Sequence, residues 1–89
     1  MEKEKLFQKA LNNWGIDAQS LKLVEECSEL INAICKHRLN RISFEDVAEE
    51  IADVEIMCEQ LKYVFGEQLI ERIKQEKLDR LSLILEQEG

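Results

Sequence analysis

The chain contains no proline, only three glycines and a single histidine. Few residues are therefore present that break a helix, and the composition favours long helices with short connections. No apolar run approaches the roughly 18 residues that a membrane span needs. The N-terminus, "MEKEKLFQKA", alternates charges around no apolar stretch, so a signal peptide is not expected. The cysteines, Cys27, Cys35 and Cys58, are odd in number and form no C-x-x-C pair. All three fall inside helical patterns and are expected to act as small buried hydrophobes in a reducing cytosol. With His37 as the only histidine and no matching cysteine spacing, a zinc site is not expected.

What is present is a chain of 89 residues, 45% hydrophobic and 35% charged. That is enough for one small soluble domain spanning residues 1–89, with a core thin enough to favour oligomerisation. The net charge of −7 argues against nucleic-acid polymers as partners. It leaves room for a small anionic ligand, provided metal ions stand between the ligand and the protein's own acids.

Apolar periodicity predicts four helices and no strand, hence an all-α antiparallel helical bundle. The first covers residues 3–13, with Leu6, Phe7, Ala10 and Leu11 on one side. "NNWGID" interrupts it, with Gly15 as a stop and Asp17 or Ser20 as a cap for the second helix. That helix runs from about 18 to 37, and "HRLNRIS" connects it to the third. There Ser43 and Asp46 resemble a capping box. The third runs from Phe44 to Phe65, roughly 33 Å. Its apolar set covers an arc wider than one seam needs, which points to a dimer or higher assembly. Gly66 ends it, the fourth covers about 67–87, and the tail "EQEG" is expected to fray.

Residues 23–30, "LVEECSEL", crowd Glu25, Glu26 and Glu29 among leucines, and "EEIADVE" crowds Glu49, Glu50 and Asp53 beside Ile51 and Val54. With Glu50 at 0° on a helical wheel, Val47, Ile51, Val54 and Leu61 fall between about 20° and 100°, and Asp53 near 300°. Glu50 thus lies within the apolar arc and Asp53 on its edge. A lone buried carboxylate is costly or becomes neutralised.

Glu26-x-x-Glu29 and Glu50-x-x-Asp53 each project two acids one turn apart from one face. In an antiparallel hairpin, residues at one level have numbers with a constant total. Glu26 with Asp53 and Glu29 with Glu50 share the total 79, which centres the turn between Leu39 and Asn40. Four carboxylates at one height repel unless a cation sits among them. All-oxygen ligation selects magnesium, with manganese as the alternative, and points to metal-assisted phosphate chemistry. A single E-x-x-E pair is more often a solvated face with local salt bridges; two pairs at matching levels favour a metal site. A di-iron bundle needs Glu-x-x-His on two helices, which one histidine cannot supply.

The pattern "KLVEECSEL…AEEIADV" resembles the MazG-like all-α nucleoside triphosphate pyrophosphohydrolases over roughly residues 14–80. Their signature is E-x-x-E on one helix and E-x-x-D on the next. The resemblance implies magnesium-dependent hydrolysis of a (deoxy)nucleoside triphosphate to the monophosphate and pyrophosphate, by water attack at the α-phosphate. By motif match it implies Glu26, Glu29, Glu50 and Asp53 as metal ligands. Glu25 and Glu49 precede the ligand pairs, with three roles open: orienting ligands, holding a metal-bound water, or acting as general base. Lys22, four residues before Glu26, and the late basic pair Lys77 and Arg80 are implied to face phosphates, against a reading as ordinary surface charge. Lys36, His37 and Arg38 read as a basic helix C-terminus favoured by the dipole. Trp14 is expected in the core or at its edge, with stacking on a base as the other option. The resemblance also implies homodimers or homotetramers; the cysteines point to the cytoplasm, and charge and hydropathy argue against nucleic-acid polymers and membranes as partners. The alternatives are a non-catalytic helical scaffold and a degenerate homologue that binds nucleotide without turnover.

Overall fold

The computed structural model describes residues 1–88, and these form four α-helices with no strand. They are α1 (Lys3–Trp14), α2 (Ile16–Arg38), α3 (Phe44–Phe65) and α4 (Glu67–Glu88). The α1–α2 boundary is tighter than expected. Gly15 alone separates the two helices, at φ 89° and ψ 159°, and Ile16 is already helical. Neither Asp17 nor Ser20 caps α2; the N-cap position is Gly15 itself, without a side-chain hydrogen bond. Asp17 instead lies in the first turn, where its charge complements the helix dipole. At the other end the expected fraying is not seen through Glu88, and Gly89 lies outside the described residues.

The α2–α3 connection is a short hairpin turn with a cap on each side. Asn40 adopts a left-handed φ of 60°. Its N–H donates to the His37 carbonyl, and the Arg41 N–H donates to the Lys36 carbonyl, both at 2.9 Å. This is a Schellman ending, and it satisfies carbonyls that the helix end would leave unpaired. Ser43 then caps α3. Its hydroxyl accepts from Asp46 N–H, and Asp46 accepts in return from the Ser43 N–H, which completes the expected capping box. The His37 and Phe44 rings, 4.7 Å apart, pack across the turn.

α2 and α3 form the principal helix pair, and α1 lies against both. The core is small: Phe7, Ala33, Met57 and Leu61 are its buried hydrophobic residues. Gln19 and Gln60 are buried with them and hydrogen-bond to each other across α2 and α3, as buried polar groups must. α1 is held to α3 by Phe7 against Tyr63 and by Lys3 Nζ at 3.0 Å from Glu59 Oε2.

α4 meets the other helices only at α3. It carries Leu69, Ile73, Leu78, Leu81 and Leu85, yet none of its residues is buried. Near its start, Lys62 Nζ of α3 donates to Glu71 Oε1 at 2.7 Å. The radius of gyration is 16.2 Å, against about 12 Å for a compact chain of this length. The wide apolar arc of α3 is correspondingly uncovered in part, with Phe44, Ile51 and Phe65 exposed. For the same reason the cysteines are not buried as expected: Cys27 is half-buried, and Cys35 and Cys58 are exposed. Trp14 is not in the core either; it is 62% exposed and lines a shallow groove on α1 with Leu6 and Ala10.

Candidate metal centre

α2 carries Glu26 and Glu29 one turn apart on the face turned towards α3. α3 carries Glu50 opposite them. One carboxylate oxygen from each of Glu26, Glu29 and Glu50 lies within 4.8 Å of the others. Three of the four expected ligands therefore come together. Asp53 is exposed and stays outside this group, as its place on the edge of the apolar arc and its short side chain would have it.

The three acids differ in environment. Glu26 is 7% exposed, Glu50 is half-buried and Glu29 is exposed. Oε2 of Glu26 and Oε2 of Glu50 are both buried without any hydrogen-bond partner. Anionic oxygens in that condition are costly, and native proteins rarely leave them so without a use. The Glu29 carboxyl is held above its ordinary pKa, first by the charge of Glu26, then by burial and by the charge of Glu50. The cluster is thus under-neutralised by the protein itself.

Lys22 supplies the cation nearest to it. Its Nζ lies 3.2 Å from Glu26 Oε1 and 3.8 Å from Glu25 Oε1. That contact, with the charges of Glu25 and Glu26, raises the lysine's pKa. One ammonium engages one oxygen of Glu26 and leaves the two orphan oxygens unmet. Glu25 is exposed, and beyond Lys22 its backbone carbonyl accepts from Ser28 Oγ at 2.8 Å. Glu49 is exposed and belongs to no cluster among the described residues. Lys77 and Arg80 are exposed on α4, which packs against α3 and not α2, and neither makes an ion pair among the described residues.

Towards the hairpin turn, the groove opens into a cleft of about 180 Å³. Glu29, Asn32 and Lys36 line it from α2, with Ile42, Asp46 and Glu50 opposite. Asn32 carried no motif signal, and Lys36 read as a dipole residue. The signal that finds both is their spacing from Glu29, three and seven residues on, which continues its stripe along the helix.

No helix among the described residues is long and apolar enough to cross a membrane. Comparison with protein-family models, with curated proteins and with solved structures finds no match.

Proposed function

We propose that the chain is a magnesium-dependent nucleoside triphosphate pyrophosphohydrolase of the MazG-like type, with manganese as an alternative ion. The observation that carries this reading is the pair of orphan oxygens on facing helices, Glu26 Oε2 and Glu50 Oε2, with Glu29 beside them. An oxygen-only donor set of this kind fits a hard divalent cation. Glu26, Glu29 and Glu50 would hold it, and Asp53, one turn along α3 from Glu50, completes the motif. Such an ion supplies charge neutralisation and polarisation of a phosphate group towards attack by water.

The chain's own residues supply the rest. Burial of Glu26 fixes one carboxylate on α2 and half-burial of Glu50 fixes another on α3, so the spacing between them is set by helix packing. Lys22 stands beside Glu26 and Glu25, at hand for a phosphate oxygen of the ligand. Glu25 and Glu49 flank the ligand pairs from exposed positions, where water reaches them, and take the general-base or outer-sphere role. The reaction is (d)NTP plus water to (d)NMP and pyrophosphate, in the cytoplasm. The protein works as a homodimer or homotetramer. Lys77 and Arg80, on a helix that does not contact α2, would reach phosphate from a neighbouring protomer.

A second reading, a non-catalytic helical interaction protein, has one observation in its favour: α4 presents an apolar set of which nothing is buried. A panel of canonical and modified NTPs and dNTPs with magnesium, read by pyrophosphate release, separates the two. Turnover of at least one member is expected. Turnover of none, in a protein whose melting temperature magnesium leaves unchanged, favours the interaction protein.

A further inference from the structure

The groove between α2 and α3 continues past Glu29 and Glu50 towards the turn, and the two ends of the acid cluster are not alike. At one end Lys22 is engaged by Glu26 and Glu25. At the other, Lys36 is the only cation lining the cleft, and among the described residues it makes no ion pair. Asp46 lines the same cleft but is committed to the cap, where its Oδ2 accepts from both N–H and Oγ of Ser43 at 3.1 Å. Asn32, between Glu29 and Lys36 on the stripe, adds an amide donor. Glu29 and Glu50 line the cleft's inner end, and beside them Glu26, more than nine-tenths buried, holds an oxygen without a hydrogen-bond partner, as does Glu50.

Charge decides what such a cleft accepts. Glu29, Asp46 and Glu50 against Lys36 leave it net negative, so a bare polyanion is repelled. A polyanion that brings a divalent cation reverses the balance: the cation meets the carboxylates, and the outer oxygens of the anion meet the ammonium and the amide. No aromatic side chain lines the cleft, so it offers no stacking surface to a base.

We propose that this cleft holds the pyrophosphate portion of the metal-bound substrate, with Lys36 and Asn32 as its protein ligands. This rests on the metal-dependent reading above. It sets the direction of the substrate along the groove, with the leaving pyrophosphate towards the hairpin turn and the nucleoside towards Lys22.

Calorimetric titration and thermal melts with magnesium alone and with inorganic pyrophosphate test it. Magnesium alone is expected to raise the melting temperature of the wild type and of Lys36→Gln equally. Pyrophosphate is expected to bind the wild type only when magnesium is present. Lys36→Gln should weaken that binding about tenfold or more, the loss of a charge-assisted contact, and Lys36→Arg should keep most of it. Equal pyrophosphate affinity in the wild type and Lys36→Gln overturns the assignment of Lys36 and leaves the metal reading standing. Equal affinity with and without magnesium overturns the metal-bound form of the ligand. No response to magnesium in either protein overturns the metal reading, and this inference with it.

Discussion

Gln60 donates from its side-chain amide to the side-chain oxygen Oε1 of Gln19, and both residues are buried where α2 meets α3. The pair obeys the same level rule as Glu29 and Glu50: the two numbers again total 79. One side-chain hydrogen bond far from the turn thus shares and supports the register that brings the acids face to face. Gln60→Leu would strand the Gln19 side-chain oxygen, and a cost of about 1–3 kcal/mol is expected. The double variant Gln19→Leu/Gln60→Leu should recover much of it, because no polar group is left unpaired. Denaturant unfolding of the wild type, both single variants and the double variant measures the cost and the coupling.

Glu50→Gln keeps the shape of the side chain but removes a charge from the cluster. Magnesium-dependent pyrophosphate release is expected to fall about a hundredfold or more, the scale of losing one electrostatic contact at a reacting phosphate. The metal-free protein should be more stable than the wild type, since one of three mutually repelling charges is gone. The melting-temperature rise with magnesium should shrink or vanish. Full activity in this variant contradicts its role as a metal ligand.

The hairpin and its acids were legible because they depend on local rules. The Ser43–Asp46 cap and the turn at Leu39–Asn40 set the register, and the register brings Glu26, Glu29 and Glu50 together. Asp53 shows the limit of that reasoning. A level rule gives height along the hairpin, whereas reach across it depends on side-chain length and on the angle around the helix. The position of α4 was not legible either. Its apolar spacing says that a face will be covered and is silent on whether its own chain or another copy covers it. Cys35, Cys58 and Trp14 are exposed for a related reason: helical periodicity marks a residue as apolar-facing and does not say what covers that face.

The pKa of Glu29 is raised in the folded protein, chiefly by Glu26. Its penalty is therefore fully present at neutral pH, and it is relieved as pH falls through the raised value towards the ordinary 4.5. Glu71 works in the opposite direction. Lys62 holds its carboxyl low, so its stabilising effect is present at neutral pH and is lost only as pH falls below the ordinary carboxylate range. In melts of the metal-free protein, Glu29→Gln should exceed the wild type at pH 7, and the difference should close under mild acid. For Glu71→Gln the wild type should be the more stable at pH 7, with that difference closing only in stronger acid. Parallel curves for all three proteins across this range would contradict both assignments.

The exposed leucines and isoleucines of α4 bear on assembly. Leu81 and Ile84 are 50% and 44% exposed in the single chain, so charges there meet no folded core of the same protomer. Leu81→Glu/Ile84→Glu should leave helix content by circular dichroism unchanged and shift sedimentation from an oligomer towards the monomer. Activity should fall with it, if Lys77 and Arg80 act on the site of a neighbouring protomer. An unchanged sedimentation coefficient would contradict assembly through this face of α4.

Gly15 is the single residue joining α1 to α2, and its φ of 89° with ψ of 159° lies in a region that side chains avoid. A Cβ built there meets nothing within 4 Å. The strain of Gly15→Ala is therefore backbone strain alone, about 1–3 kcal/mol. It should be relieved by moving α1, the less firmly held side of the joint, which Phe7 with Tyr63 and Lys3 with Glu59 fix to α3. The acids lie on the other side of the joint, on α2 and α3. Gly15→Ala should lower the unfolding midpoint and speed amide exchange in α1, while the stabilisation gained from magnesium stays as in the wild type. Loss of the magnesium response in this variant would mean that α1 helps to shape the metal centre, which the packing of Glu26, Glu29 and Glu50 between α2 and α3 does not require.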